Sequence, residues 1–186
     1  MTLTRAAVEE AAAAYAESEP LYTVEAEEIE GLGPALASGE FGWRDAEWVV
    51  QWYYRRRLGE VPNRERRERE AAYDENDYEA VRDALAAAAG ADDDLEALDA
   101  LTGLAGVDVG VASAFLLFLD PEQYLVVSDR EWRALAAAGE LDGPVPDPLT
   151  PEDYGAYLEA ARAVADRLDC TLWTLYRALW RLGAEE

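Results

Sequence analysis

The fold is decided by residues 95–135, which read LEALDALTGLAGVDVGVASAFLLFLDPEQYLVVSDREWRAL. The leucines at the start of this stretch recur at helical spacing and predict a helix that ends near Thr102. Gly106 then permits a tight turn that larger residues adopt with difficulty. An apolar helix is predicted to follow over residues 109–119. We therefore expect two helices joined by a glycine hairpin, at about residues 94–119.

The rest of the chain also predicts helices. Alanine-rich stretches have high helix propensity, and the alternation typical of strands is scarce. Helix starts are predicted at three kinds of signal. A capping residue stands three positions before a Glu at Asn76 and at Ser128, and a capping residue is followed directly by a proline at Asp120-Pro121 and at Thr150-Pro151. A run of acids at residues 92–94 predicts a further start. After a loop at residues 141–150, one final helix is expected over residues 154–182. The pattern indicates an all-α protein of about seven or eight helices.

Composition excludes several kinds of catalytic site. The chain has 186 residues, with 40 Asp and Glu, 16 basic residues that are all Arg, and no His. Without His there is no Ser-His-Asp triad and no His-bearing zinc site, and without Lys no Schiff base forms on a side chain. The lone Cys170 excludes internal disulfides and cysteine-ligated iron–sulfur clusters. No metal site is predicted, and any chemistry rests on carboxylates, Arg, Tyr, Ser, Thr or a bound partner.

The formal net charge of −24 indicates adaptation to a very salty cytosol. Dense carboxylates keep a surface hydrated there, while salt screens their mutual repulsion. No run approaches the ~18 apolar residues of a membrane span, and the first residues do not resemble a signal peptide. We therefore expect a cytoplasmic protein without a membrane partner, folded as a single domain over residues 1–186.

Arginine is concentrated in residues 55–70, which hold seven Arg and four Glu and carry a charge of +3 in an otherwise acidic chain. Two interpretations are open. The segment is a solvated helix end whose Arg complement the helix dipole, or it is a phosphate-binding patch. The candidate phosphate ligands are Arg55, Arg56, Arg57, Arg64 and Arg66. Aromatic residues precede the segment, and Arg interleaved with aromatic rings is typical of grooves for single-stranded nucleic acid.

The hairpin contains the pattern LxxLxGVxxxxASA over residues 101–114. This pattern resembles the helix-hairpin-helix of the base-excision DNA glycosylase superfamily, usually called HhH-GPD. In that superfamily the hairpin grips the DNA backbone, and an invariant Asp stands at the head of the helix that follows. Asp129 lies at the expected position, 23 residues after Gly106. The resemblance implies a two-lobed helical fold, with a hairpin lobe at about residues 75–135 and a second lobe formed by residues 1–74 and 136–186.

The resemblance also implies roles for individual residues. The DNA backbone would be bound by the hairpin residues Gly106, Val107, Asp108 and Gly110. No cofactor is expected except a monovalent cation at this hairpin. Asp129 would be the catalytic carboxylate, which stabilises an oxocarbenium-like sugar or activates water. The target base would leave the duplex and stack in a pocket, for which the candidates are Trp132, Trp43 and Trp52.

Two departures from the superfamily limit this chemistry. Asp108 stands where a second hairpin Gly is usual, and its carboxylate would repel a phosphate unless a cation bridges the two. Gly110 stands where bifunctional members carry their Schiff-base Lys. Lyase chemistry on a side chain is therefore excluded, which leaves a monofunctional glycosylase or a member without catalysis.

Plainer interpretations accompany each candidate. Asp129 follows Ser128 in a possible capping box and is then only a first-turn acid that favours the helix dipole. The tryptophans are then core residues, since large aromatic side chains dominate helical cores. Three functions stay open: a DNA-binding glycosylase that uses Asp129, a non-catalytic protein that binds DNA or RNA, and a protein-interaction module. The sequence predicts neither a lesion nor an oligomeric state.

Overall fold

Capping residues and alanine-rich segments fold this chain into helices. The structure is a computed structural model that describes residues 2–184. Within these residues it has ten helices and no β-strand, which confirms the all-α prediction. The helices are α1 (Arg5–Ser18), α2 (Tyr22–Ser38), α3 (Trp43–Arg55), α4 (Asn63–Tyr73), α5 (Tyr78–Ala89), α6 (Asp94–Thr102), α7 (Val109–Leu119), α8 (Asp129–Ala137), α9 (Pro151–Leu168) and α10 (Leu172–Leu182). None of these helices is long and apolar enough to cross a membrane.

The two helices expected around the glycine turn form with the predicted limits. Helix α6 ends at Thr102, and α7 spans Val109–Leu119. Asp93 caps α6 because its side chain accepts hydrogen bonds from the N–H groups of Leu95 and Glu96, at 3.0 and 2.9 Å. Ten of the 11 residues of α7 are buried, as its apolar sequence predicts.

Two of the predicted helix limits are wrong. The expected single helix over residues 154–182 is broken between α9 and α10, because Asp169 takes a left-handed conformation with φ of 50°. Asp tolerates this conformation better than most residues, so the break needs no Gly or Pro. The Thr171 side chain then caps α10 by accepting a hydrogen bond from the N–H of Thr174, at 3.1 Å. No helix begins at Asp120-Pro121, since residues 121–123 form a turn.

The chain divides into two compact units. Unit one comprises the described parts of Met1–Ala26 and Pro121–Glu186, with α1, α8, α9 and α10. Unit two is Glu27–Asp120, with most of α2 and all of α3 to α7. These limits differ from those of the expected lobes, which were placed near residues 75 and 135.

Unit one is built on the packing of α10 against α1 and α8. Its core holds a polar cluster in which the Tyr15 hydroxyl donates a hydrogen bond of 2.6 Å to the carboxylate of Glu25. The hydroxyl oxygens of Tyr15 and Tyr176 lie 3.0 Å apart. Glu25 is fully buried, and the Tyr15 hydroxyl supplies a polar contact of the kind that a carboxylate requires inside a core.

Unit two is built around α7, which packs against α3 and α6. The ring of Phe118 meets the rings of Trp48 and Trp52 edge to face, with centroids 5.2 and 4.8 Å apart. Helix α2 passes close to the end of α7, because a Cβ atom on Gly33 would lie 2.7 Å from the carbonyl oxygen of Phe118. The aromatic residues of α3 therefore form part of the core of this unit.

The cap of α9 predicts a dependence of stability on pH. The hydroxyl and the backbone N–H of Thr150 both donate to one carboxylate oxygen of Asp153, at 2.6 and 2.9 Å. These hydrogen bonds hold the pKa of Asp153 below its usual value. A lowered pKa in the folded state contributes stability that is complete above about pH 4, where an unfolded Asp is ionised. That contribution is lost as the pH falls through the lower pKa of the folded state.

We expect Asp153→Asn to lower the melting temperature at pH 7. Below pH 4 the difference in melting temperature between wild type and variant is expected to shrink as the pH falls. Thermal unfolding followed by circular dichroism, in molar KCl and across buffers from pH 7 to pH 2, measures the difference between the two proteins. A difference that stays constant over this range would show that the Asp153 carboxylate does not contribute through its charge.

Candidate nucleic-acid interface

The turn between α6 and α7, residues 103–108, is closed by a close backbone contact at Gly106. Gly106 has φ of +74°, which favours glycine. A Cβ atom at this position would lie 2.6 Å from both the carbonyl oxygen of Arg69 and the nitrogen of Tyr73. The last turn of α4 therefore packs directly on the α6–α7 turn, and Gly106 is required for both its conformation and its size.

Asn76 fixes the same turn through its side-chain amide. The amide oxygen accepts a hydrogen bond of 2.9 Å from the N–H of Ala105, and the amide nitrogen donates one of 2.9 Å to the carbonyl oxygen of Ala105. The amide nitrogen also donates to the carbonyl oxygen of Tyr73, at 2.8 Å. The predicted capping box of Asn76 with Glu79 is wrong, because Asp77 is the residue that precedes α5.

Asp108 begins α7 as its N-cap residue. One carboxylate oxygen of Asp108 accepts a hydrogen bond of 3.0 Å from the N–H of Val111. The other oxygen lies 3.9 Å from the guanidinium of Arg69, and both side chains are about half exposed. The Arg-rich segment and the glycine turn, which were predicted separately, thus meet at the N-terminus of α7.

The other predicted hairpin contacts are less accessible. Val107 is buried with 6% of its surface exposed, and Gly110 is buried as well. A Cβ atom on Gly110 would lie 2.1 Å from the hydroxyl oxygen of Tyr53, so that hydroxyl covers the first turn of α7. Of the four predicted residues, Gly106 and Asp108 reach the surface.

Tyr54, next to Tyr53 on α3, brings a second hydroxyl to this region. Its side chain is buried, and its hydroxyl has no hydrogen-bond partner within residues 2–184. Burial raises the pKa of Tyr54, and the nearby Asp108 carboxylate raises it further. Tyr53 and Tyr54 belong to the aromatic residues that precede the Arg-rich segment, but the positions of their hydroxyls were not predicted, because spacing along α3 does not reveal which neighbour a hydroxyl will meet.

Part of the predicted phosphate patch is used for packing. The guanidinium of Arg56 lies 4.9 Å from the ring centre of Trp52, and Arg56 is only 8% exposed. Arg57 is largely buried and pairs with Glu60 at 3.7 Å. Arg66 donates to both carboxylate oxygens of Glu70 at 2.9 Å and is partly buried. These three Arg stabilise unit two through cation–π and ionic contacts.

The exposed Arg of this segment form a different set. Arg64 is exposed and pairs with Glu68 at 2.7 Å. An exposed ion pair between residues four apart on a helix stabilises it only modestly. Arg55, at the end of α3, is exposed and donates to the side-chain oxygen of Gln51 at 2.8 Å. Arg67 and Arg69 on α4 are exposed too, and both belong to the Arg-rich segment predicted over residues 55–70.

The predicted base-pocket residues lie within hydrophobic packing. Trp52 is 1% exposed in the core of unit two, and Trp43 is half-buried and stacks on Tyr73 with ring centres 5.3 Å apart. Trp132 in unit one is 4% exposed, and its ring nitrogen donates to the carbonyl oxygen of Gly143 at 3.2 Å. Trp132 also lines a cleft of about 590 Å³ whose walls carry the acids Glu140, Asp142, Asp153 and Glu159. Four carboxylates disfavour a nucleic acid in that cleft.

Asp129 is exposed and is the first residue of α8, as predicted. The preceding Ser128 does not cap the helix with its side chain, since its hydroxyl donates to the carboxylate of Glu131. Glu131 is fully buried, so the two acids of this first turn have different environments. Asp129 belongs to unit one, whereas the α6–α7 turn belongs to unit two.

Within residues 2–184, no group of three or more Asp, Glu, Cys or His side chains is arranged to hold a metal ion. In comparisons with known proteins, no family model matches the chain, and neither a curated protein nor a solved structure is significantly similar to it.

Proposed function

We propose that this protein binds nucleic acid through a surface formed by α4 and the α6–α7 turn of unit two. The supporting observation is the packing of α4 on Gly106, with Arg69 lying 3.9 Å from Asp108. Two features that point to phosphate binding, the Arg-rich segment and the start of a helix after a glycine turn, therefore share one surface. Arg64, Arg67 and Arg69 supply its exposed positive charge.

A net charge of −24 is compatible with this proposal only if a bound phosphate is affected by the nearby Arg and not by distant carboxylates. At an ionic strength of 1 M the Debye length is about 3 Å, so distant carboxylates hardly repel a phosphate bound on α4. The local field on α4 is then set by its own side chains, with four Arg and three Glu over residues 64–70, a charge of +1. Binding without base-specific contacts is expected, because Arg contacts to phosphates carry no sequence information.

The triple variant Arg64→Gln, Arg67→Gln, Arg69→Gln tests the proposal. For each phosphate that an Arg no longer neutralises, we expect the salt dependence of log K to flatten by about 0.9 and affinity to fall about tenfold at 0.1 M KCl. The measurement is fluorescence anisotropy with labelled duplex and single-stranded DNA. It covers the KCl range in which circular dichroism shows wild type and variant equally folded.

The matched control is Arg5→Gln, Arg44→Gln, Arg82→Gln, which changes the net charge equally at three Arg outside the proposed surface, of which Arg5 and Arg44 are exposed and Arg82 is partly exposed. An equal loss of affinity in both triple variants would assign binding to bulk charge and contradict the proposal. A wild type that binds neither form of DNA, and no single-stranded or duplex RNA in the same assay, would leave a protein-interaction module as the better description.

On the basis of the resemblance to DNA glycosylases, we further propose that the protein excises bases from DNA and that Asp129 is its catalytic carboxylate. Asp129 is exposed, as a carboxylate that acts on a bound nucleic acid must be. Removal of its charge then abolishes base release without affecting DNA affinity.

A further inference from the structure

Helix α4 has almost no apolar face. All of its residues, Asn63–Tyr73, are described, and Tyr73 in the last turn is the only one of them that is buried. Two positions that are partly covered carry charges, since Arg66 and Glu70 are 21% and 23% exposed and pair with each other. Helices in proteins are stabilised mainly by packing of an apolar face, so the first two turns of α4, residues 63–69, lack the usual source of stability.

The start of α4 is weakly fixed. Pro62 precedes the helix and has no side-chain oxygen that could cap its free N–H groups. Gly59 has φ of 95°, and a Cβ atom added there would point into open space. Leu58 is 65% exposed, although its side chain is apolar. The residues that lead into α4 therefore pack loosely on the rest of unit two.

The end of α4, by contrast, is firmly fixed. Its backbone at Arg69 and Tyr73 lies so close to Gly106 that an added Cβ would meet it at 2.6 Å. The Asn76 side chain donates to the carbonyl oxygen of Tyr73 at 2.8 Å, and the Tyr73 ring stacks on Trp43. One end of α4 is therefore part of the core of unit two, while the other end depends on its own hydrogen bonds and ion pairs.

We propose that residues 63–69 unfold and refold locally while the last turn of α4 and the rest of unit two stay folded. Short helices without packing are marginal in water, because few hydrogen bonds offset the entropy lost in ordering the backbone. Exposed ion pairs such as Arg64 with Glu68 add little to this balance. A local opening of a segment with few buried apolar contacts costs much less free energy than global unfolding.

The local unfolding stands without the proposed function, which supplies only the partner. Arg64, Arg67 and Arg69 lie on residues 63–69, so a nucleic acid that contacts the helical form would order the segment. The affinity is then reduced in proportion to the fraction of molecules in which the segment is helical. Local order in α4 would in this way regulate binding.

Hydrogen exchange followed by NMR in molar KCl tests the proposal. The N–H of Arg66 donates to the carbonyl oxygen of Pro62 at 3.1 Å, so the hydrogen-bonded amides of the segment are those of residues 66–69. Relative to their intrinsic rates, we expect these amides to exchange at least about 100-fold faster than those of residues 112–118 in α7. Equal protection would show that α4 opens only when the unit unfolds, which overturns the proposal.

Proline substitution gives a second test, because proline breaks the interior of a helix. Glu68→Pro is expected to lower the melting temperature by less than about 3 °C, since the segment already opens locally. Asp83→Pro is the matched control. Asp83 is also an exposed acid of unit two and the sixth residue of its helix, but α5 buries Val81 and Leu85.

The control is expected to lower the melting temperature by at least about 10 °C, and failure of Asp83→Pro to fold is the extreme of the same result. A loss in Glu68→Pro as large as in Asp83→Pro, or a Glu68→Pro variant that does not fold, overturns the proposal.

Duplex DNA separates local unfolding from the proposed function. At ten times its Kd, DNA that binds only the helical form is expected to slow the exchange of residues 66–69 about tenfold. Fast exchange that DNA does not slow would support local unfolding and refute binding of DNA to the helical segment. Slow exchange without DNA, together with the loss of affinity expected for the α4 triple variant, would refute local unfolding and support the proposed function.

Discussion

Gly106→Ala is expected to destabilise the protein by about 3 kcal/mol. A left-handed conformation costs a residue with a Cβ atom about 1–2 kcal/mol, and overpacking adds about 1–3 kcal/mol. The overpacking is severe because the new Cβ would lie 2.6 Å from backbone atoms of Arg69 and Tyr73, which cannot rotate away. For a chain of this size, we expect the melting temperature to fall by about 10 °C.

Gly59→Ala is the matched control for this variant. Gly59 belongs to the same unit and also has a positive φ, of 95°, but no atom lies within 4 Å of an added Cβ. Its substitution therefore costs only the conformational strain, about 1–2 kcal/mol. Chemical unfolding followed by circular dichroism compares the two variants. Equal losses of stability would show that α4 does not press on the α6–α7 turn.

Much of the fold could be predicted because local signals coincide. The limits of α6 and α7 follow from the acid that caps α6, the glycine turn and an almost unbroken apolar run. The break at Asp169 could not be predicted, since most Asp residues do not adopt a left-handed conformation and the sequence does not show which one will. The start at Asp120-Pro121 failed because the following residues form a turn instead of a helix.

Less of the site could be predicted. The concentration of Arg in residues 55–70 is visible in the sequence, but which Arg face solvent depends on tertiary packing. Arg56 lies over an aromatic ring in the core of unit two, whereas Arg69 is exposed next to Asp108. Asn76 was predicted to cap a helix, yet it binds a turn residue 29 positions further along the chain, and no local pattern reveals such a partner.

Asp129→Asn is expected to lower base release by at least ~100-fold if the protein excises bases. Asn is nearly isosteric with Asp, but it lacks the charge that stabilises an oxocarbenium-like sugar and cannot serve as a base for water. Loss of the dipole interaction at this first-turn position costs about 1 kcal/mol. DNA affinity is expected to stay within about twofold of wild type, because the proposed phosphate contacts lie on α4.

The experiment compares wild type, Asp129→Asn and Glu152→Gln on a panel of duplexes that carry damaged or mismatched bases. Glu152 is the control because it is also an exposed first-turn acid of unit one, at the start of α9. Base release is measured after alkali cleavage of the abasic product, and melting temperatures are measured in parallel. Equal activity of wild type and Asp129→Asn would show that the Asp129 carboxylate has no catalytic role. Loss of activity confined to Asp129→Asn, with affinity and stability kept, would assign the catalytic role to its carboxylate.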